Sequence, residues 1–153
     1  MNNEDFVTYD IAVRFKKAGF DWPCYFYYTK ENATDDEVWF TTAGVHAKDW
    51  NSGRNDEPDF LKPLCSAPSL WEAQKWLRDE WDIHIDACVF GDCSEDADGK
   101  VADEWTFWAF DIYNTESGRQ IVDYDEEYDN YEAALSAGIE AALKLIEEGD
   151  IDT

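Results

Sequence analysis

Two stretches in the first half of the chain space their apolar side chains as one face of an amphipathic helix requires. The first covers residues 8–18, and Gly19 follows it as a residue that commonly ends helices. The second begins after Ser69 and Glu72, which stand three residues apart as in a capping box, and it extends to about Trp81. Both stretches are therefore predicted to be helices.

The longest amphipathic stretch lies in the last quarter of the sequence. Asp129 or Asn130 can cap its start, and Gly149 can end it. Charged and polar residues line the face opposite its apolar stripe at steps of four, which predicts a third helix. The stripe consists of Tyr131, Ala134, Leu135, Gly138, Ile139, Ala142, Leu145 and Ile146.

Between these helices, short segments rich in aromatic and β-branched residues predict strands. They cover residues 24–29, 37–42, 83–90, 104–113 and 119–124. Polar linkers join the first two and the next two, as expected for hairpins. The order predicts an α+β fold, with a mostly antiparallel sheet of four to five strands and three helices packed mainly on one face.

We expect residues 1–153 to form a single domain, because 153 residues suit one ordinary domain. Residues 91–103 are predicted to form a polar turn. Residues 44–65 show no regular period and predict a long loop, which Trp50 and Phe60 would hold against the body. A loop of this length in a compact domain is usually functional or mobile.

The composition combines a large apolar content with a very high negative charge. Hydrophobic residues make up 44% and aromatic residues 16%, while 36 acidic and 12 basic side chains give a net charge of -24. Disordered acidic chains are poor in aromatics, so this composition indicates a folded core under an acidic surface. Direct binding to nucleic acid or to an anionic membrane is excluded, since both require a basic surface.

The sequence predicts a cytoplasmic protein. Its first residues are acidic and contain no apolar core of a secretion signal, and no apolar run approaches the ~18 residues of a membrane span. The four cysteines form no C-x-x-C pair, so we expect reduced thiols, mostly buried. They are Cys24, Cys65, Cys88 and Cys93.

The negative charge is concentrated in the second half of the chain. Residues 79–153 carry 23 acids and 3 bases, against 13 acids and 9 bases in residues 1–78. One interpretation is an acidic face that imitates a polyanion and attracts a basic partner; the other is a device for solubility. The residues predicted to form this face are Asp92, Glu95, Asp96, Asp98, Asp103, Glu104, Asp123, Asp125, Glu126, Glu127 and Asp129.

Aromatic residues offer a second candidate surface for a partner. Strand alternation places Trp105 and Phe107 on one face of the predicted strand and Trp108 and Phe110 on the other. If helices cover one face, the other exposes an aromatic patch suited to a protein partner. The predicted patch consists of Tyr25, Tyr27, Trp105 and Trp108.

No complete catalytic or metal-binding signature is present, so we predict a non-enzymatic protein without a metal or cofactor. Residues 94–101 resemble the front of an EF-hand loop, but Trp105 stands where the bidentate glutamate is needed. His46 and His84 are the two histidines, and no nucleophile is tied to either by a recognisable spacing. Cys88 and Cys93 lack the further ligands of a zinc site.

Several segments together resemble a family of short uncharacterised proteins of gut Bacteroidetes and of their phages and prophages. The resemblance implies a bacterial-cytosol setting and a mobile-element origin, and no activity, cofactor or catalytic residue transfers through it. The segments are Gly19-Phe20, Pro23-Cys24, Cys65-Ser66-Ala67-Pro68-Ser69, Ala73-Gln74-Lys75-Trp76-Leu77-Arg78, Ile83-His84-Ile85, Tyr131-Glu132-Ala133-Ala134-Leu135, Gly138 and Ala141-Ala142-Leu143-Lys144-Leu145-Ile146.

Three functions are compatible with these observations. The first is an acidic binding protein that imitates nucleic acid, such as a phage-encoded inhibitor, and occupies the basic surface of a nucleic-acid-handling protein. The second is a small enzyme or small-molecule binder with a site under residues 44–64, near His84, Asp86 or Cys88. The third is a phage structural or assembly protein that acts through the aromatic patch.

Overall fold

The computed structural model describes residues 3–30, 33, 39–40, 47–52 and 62–150. Within these residues the chain forms three α-helices and two antiparallel sheets of three strands each. The predicted α+β class, the three helices and the antiparallel pairing are confirmed. The single sheet of four to five strands is wrong, because the first hairpin pairs with a short strand ahead of the second helix and forms a sheet of its own.

The first sheet has the strand order β2-β1-β3. Its strands are β1 (Phe26–Tyr28), β2 (Trp39–Phe40) and β3 (Cys65–Ser66). The predicted hairpin is present in the pairing of β1 with β2, whereas β3 has only two residues and left no pattern in the sequence. The buried Tyr28 hydroxyl donates a hydrogen bond to the Val7 carbonyl oxygen over 2.7 Å, which ties this sheet to the N-terminal segment.

The second sheet has the strand order β4-β5-β6 and is dominated by one long hairpin. Its strands are β4 (Ile83–Glu95), β5 (Val101–Asn114) and β6 (Gln120–Val122). The register of β4 against β5 is continuous from Ile83 to Ser94, so the turn predicted over residues 91–103 is wrong and the turn spans residues 96–100. In this part of the hairpin both faces of the strand pair contact water, so the strands need no alternation of apolar and polar residues. The sequence pattern therefore did not predict strands here.

The three helices begin and end close to their predicted limits. They are α1 (Tyr9–Lys17), α2 (Leu70–Trp81) and α3 (Tyr131–Glu148). Ser69 and Glu72 form the predicted capping box, and the Asn130 side chain accepts a hydrogen bond from the Ala133 amide over 2.8 Å. Gly149 ends α3 in the left-handed conformation, with φ of 75°, which favours glycine.

Helices α2 and α3 pack on one face of the second sheet. Alternation along the strands turns Ile83 and Ile85 of β4, and Phe110 and Ile112 of β5, toward this face, and all four are buried. Gly138 lets α3 approach closely, since a Cβ atom there would lie 2.5 Å from Cγ2 of Ile85. The apolar stripe predicted for α3 is therefore its sheet-facing side.

One hydrophobic core extends from α1 through both sheets. Phe15 of α1 packs against Phe20 and against Trp76 of α2, with ring centroids 5.6 and 5.5 Å apart. Tyr28 of the first sheet and Ile85 of the second belong to the same core. Among the described residues, no helix combines the length and the apolar content needed to cross a membrane.

The structure describes only part of the long loop predicted over residues 44–65. Trp50 fastens this part to the first sheet, as predicted: its ring lies 4.6 Å from that of Tyr27, and its Nε1 donates to the Cys24 carbonyl oxygen over 2.8 Å. Phe60, the second predicted anchor, lies outside the described residues.

Replacing Gly138 by alanine tests the contact between α3 and β4. Gly138→Ala improves helix propensity by ~1 kcal/mol, but its methyl group meets Ile85 and Phe110. We expect a net loss of about 1 kcal/mol in the free energy of unfolding, measured by urea denaturation, since overpacking of a core costs ~1–3 kcal/mol. Ser136→Ala, at an exposed position of the same helix, is the control and should change stability little. A Gly138→Ala protein that is more stable than the parent would contradict the close packing.

Candidate interaction surface

All eleven acidic residues predicted to face a partner are exposed in the structure. They lie in two segments, which we call the hairpin arm (residues 91–106) and the acidic edge (residues 123–129). The arm carries Asp92, Glu95, Asp96, Asp98, Asp103 and Glu104, and the edge carries Asp123, Asp125, Glu126, Glu127 and Asp129. Whether a partner binds them stays a prediction.

The hairpin arm is the half of the long hairpin that the helices do not cover. Apart from Ser94, which is partly buried, every residue of the arm is exposed. Asp96 orders the turn at its tip, where one carboxylate oxygen accepts hydrogen bonds from the amides of Asp98 and Lys100 over 2.9 and 3.0 Å. The segment that resembles an EF-hand loop is thus the turn of a β-hairpin.

The acidic edge runs beside β5, on the side opposite β4. Trp108 and Tyr128 exchange two backbone hydrogen bonds of 2.8 and 2.7 Å, which hold the edge to the sheet. Because the pairing is antiparallel, Asp129 lies at the end nearer the arm and Asp123 at the end nearer β6. The edge therefore continues into the base of the arm.

Among the described residues, none of the eleven acids has a basic side chain within 4 Å. The ion pairs lie elsewhere: Arg14 joins α1 to α3 through Glu147, over 2.5 Å, and Glu140, over 3.4 Å. The hydrogen bond from Arg14 lowers the pKa of Glu147. The arm and the edge thus present their charge to solvent.

The carboxylates of the arm lie on both of its sides. Strand alternation turns Asp92 and Asp103 to one side of the arm and Glu104 to the other.

The four residues of the predicted aromatic patch do not share one face. Trp105 and Trp108 stand three positions apart on β5, so their side chains lie on opposite faces of the sheet. Trp105 is 40% exposed on the arm, while Trp108 packs edge-on against Tyr131 at the start of α3. Tyr27 belongs to β1 of the first sheet and Tyr25 directly precedes that strand. The role of these four aromatic residues in partner binding stays a prediction.

A different aromatic cluster forms on the sheet face turned away from the helices. Phe90 and Phe107 face each other across β4 and β5 and stack with ring centroids 5.6 Å apart. Tyr124 of the acidic edge packs against Phe90 at 4.9 Å. Sequence reasoning missed this cluster, because it depends on the register of β4 against β5 and on the path of the edge.

Next to that cluster the same face carries a group of polar side chains. Asp86 lies directly opposite Asp111, and the Cys88 thiol donates a hydrogen bond to the Asp86 carboxylate over 3.2 Å. Partial burial raises the pKa of Asp111, and nearby Asp123 and Asp86 raise it further. The bond to Asp86 raises the pKa of the Cys88 thiol, which makes this thiol a weak nucleophile at neutral pH.

In the described part of the chain, two surface grooves have linings that contain none of His84, Asp86 and Cys88. One, of about 630 Å³, lies on the arm and is lined by the paired segments Gly91–Cys93 and Glu104–Thr106. The other, of about 380 Å³, lies between the starts of α2 and α3 and includes Trp71, which is 63% exposed. Most of residues 44–64, under which the alternative small-molecule site was expected, lies outside the described residues, so that site stays a prediction.

The remaining candidates for chemistry are placed as follows. His84 is partly buried on β4, and its buried Nδ1 has no hydrogen-bond partner among the described residues. His46 lies outside those residues. All four cysteines are free thiols, with Cys24 and Cys65 buried and Cys93 exposed. The described residues bring no three histidine, cysteine or carboxylate side chains together as a metal ion would require.

Comparisons with known proteins add no functional information. No family model, no curated protein and no solved structure matches this chain.

The thiols provide a test of the polar group beside β4. At neutral pH, Cys93 should react first with iodoacetamide, because it is exposed. Cys24 and Cys65 should stay protected in the folded protein, because burial raises the pKa of Cys24 and raises that of Cys65 to about 12.

The Asp86→Ala variant tests the effect of the carboxylate on Cys88. The alkylation of Cys88, followed by mass spectrometry, should shift to lower pH, since the carboxylate that raises the pKa of this thiol is gone.

Asp92→Ala, which removes a carboxylate farther along the same strand face, is the control and should leave the Cys88 curve in place. Superimposable Cys88 curves for Asp86→Ala and the parent would show that Asp86 does not set the reactivity of this thiol.

Proposed function

We propose that this protein is a non-enzymatic acidic binding protein, and that its hairpin arm and acidic edge recognise the basic surface of a nucleic-acid-handling protein. The observation that carries the proposal is the placement of eleven exposed carboxylates, without basic partners among the described residues, on two adjoining segments. A phage-encoded inhibitor that competes with nucleic acid is one protein of this kind.

The position of these acids supports binding more than it supports solubility alone. A solubility device needs charge but no particular arrangement. Here the arm extends beyond the helical layer, and the edge leads into its base along the rim of the same sheet. Trp105 adds a 40% exposed aromatic ring among the acids of the arm, and aromatic side chains are enriched at the centres of protein interfaces.

A surface of this kind acts first on the rate of association. Like charges that lie within ~8 Å of each other reinforce one field at physiological salt, and such a field steers a cationic partner into contact. Rim charges change the association rate and its salt dependence more than the dissociation rate. Binding should therefore weaken steeply as the salt concentration rises.

The location of the charge is testable with two variants of equal net charge. The edge variant carries Asp123→Asn, Asp125→Asn, Glu126→Gln and Glu127→Gln. The matched control carries four neutralising substitutions at other exposed acids, namely Asp21→Asn, Glu80→Gln, Glu116→Gln and Glu148→Gln. We expect the edge variant to lose at least about tenfold in affinity for a captured basic protein at 50 mM salt, while the control loses far less.

The protein used in that measurement comes from capture in host lysate at low salt, followed by elution with a short DNA duplex. A partner displaced by DNA fits the imitation of nucleic acid. Equal losses in both four-fold variants would show that net charge alone matters, which favours the solubility interpretation. Binding that is unchanged at 500 mM salt would exclude the electrostatic mechanism.

A further inference from the structure

The outer edge of β4 directs backbone groups away from β5 along the hairpin arm. Trp108 directs its amide and carbonyl toward Tyr128, away from β4. Its cross-strand neighbour Val89 is therefore a non-hydrogen-bonded partner whose own N–H and C=O point outward. The pattern repeats every second residue, so Ala87, Gly91 and Cys93 also point their backbone groups outward. The Cys93 amide donates to the Asp92 carboxylate over 2.8 Å, so Cys93 offers an added strand its carbonyl oxygen.

An independent contact confirms this alternation at the other end of the strand. The Gln74 side chain of α2 donates a hydrogen bond to the Ile85 carbonyl oxygen over 2.8 Å, so that carbonyl points away from β5 as the pattern requires. Beyond Ile85, no described strand pairs with the outer side of β4. Within the part of the chain that the structure describes, the edge is thus covered by α2 at its start and open along the arm.

From Ala87 to Cys93 the edge carries no lysine and no proline, and the register irregularity of the hairpin lies beyond this segment, between Ser94 and Glu95. Proteins block exposed edges with lysine, proline, a bulge or an inward-pointing charge. The side chains on the outward-bonding positions are instead small and uncharged, and Val89 is 54% exposed. Gly91 and Cys93 are exposed as well, and they line the 630 Å³ groove that runs beside the edge.

The negative charge around this edge favours a positively charged binding partner. Asp92 and Glu104 line the same groove, and the arm and the acidic edge carry nine further carboxylates. A second copy of this chain would bring an equal negative charge against them, so pairing of β4 with β4 of another copy is disfavoured. A lysine- and arginine-rich extended segment would gain the strand hydrogen bonds and charge attraction together.

We propose that the outer edge of β4, at Ala87, Val89, Gly91 and Cys93, binds a basic, extended segment of the partner as an added strand. Lysine or arginine side chains of that segment on the face of Gly91 and Cys93 would lie near Glu104, and those on the opposite face would lie near Asp92. This inference rests on the proposed function and specifies how the basic partner is held.

Two synthetic peptides separate strand addition from charge attraction. The first is a seven-residue peptide of alternating lysine and valine, blocked at both ends; the second is the same peptide methylated at every backbone nitrogen. They carry the same charge, but only the first can donate strand hydrogen bonds. We expect the methylated peptide to bind at least about tenfold more weakly at 50 mM salt. We also expect the amides of Val89 and Gly91 to gain protection from hydrogen exchange with the first peptide only.

Variants at Gly91 test the same edge from the protein side. Gly91→Pro removes one outward N–H, and the bonds of β4 to β5 remain because Gly91 does not donate to them. Gly91→Ala keeps that N–H and is the matched control, since a Cβ atom at Gly91 meets nothing within 4 Å. We expect Gly91→Pro to weaken binding of the unmethylated peptide about tenfold and Gly91→Ala to leave it unchanged. Circular dichroism of both variants checks that the fold is retained.

The outcomes distinguish the two proposals. Equal, salt-sensitive binding of both peptides would overturn strand addition and leave the acidic binding function intact. Binding of neither peptide at 50 mM salt would count against both. A stable dimer at micromolar concentration that Gly91→Pro dissolves would also overturn the inference, because the edge would then be occupied by a second copy.

Discussion

The packing of α3 against one half of the long hairpin determines the role of the other half. Gly138 brings the helix close to Ile85 and Phe110, and this contact buries one face of β4 and β5 near their α2 end. Beyond Val89 and Trp108 no described helix covers the strands, although their pairing continues without interruption to Ser94. The buried half anchors the hairpin, and the other half projects as an exposed arm.

The division of the long hairpin into a buried half and an exposed arm also explains where the protein can carry a dense group of carboxylates. On the arm and the acidic edge, carboxylates stay hydrated, and water and salt weaken their mutual repulsion. Asp111 shows the consequence of bringing a carboxylate nearer the sheet surface, because partial burial and neighbouring Asp123 and Asp86 raise its pKa. The protein therefore keeps eleven of its 36 acids on segments where ionisation costs little, and those same segments are available to a partner.

The sequence predicted those parts of the fold that local chemistry determines. The capping box of α2, the Asn130 cap of α3 and the apolar stripe of α3 all depend on residues within a few positions of each other. The separation into two sheets depends on β3, a two-residue strand, and on long-range pairing that leaves no periodic signal. Likewise the eleven acids were found by composition, whereas the outward backbone groups of β4 became visible only through the register of Val89 against Trp108.

The central claim is that a basic partner contacts the hairpin arm and the acidic edge. Its most direct test is a titration of the isotope-labelled protein with the captured basic partner, followed by NMR chemical shifts of every backbone amide. We expect the changes to concentrate in residues 87–106 and 123–129. Changes centred on Trp71 and Tyr131, at the groove between α2 and α3, or spread evenly over the whole surface, would contradict the claim.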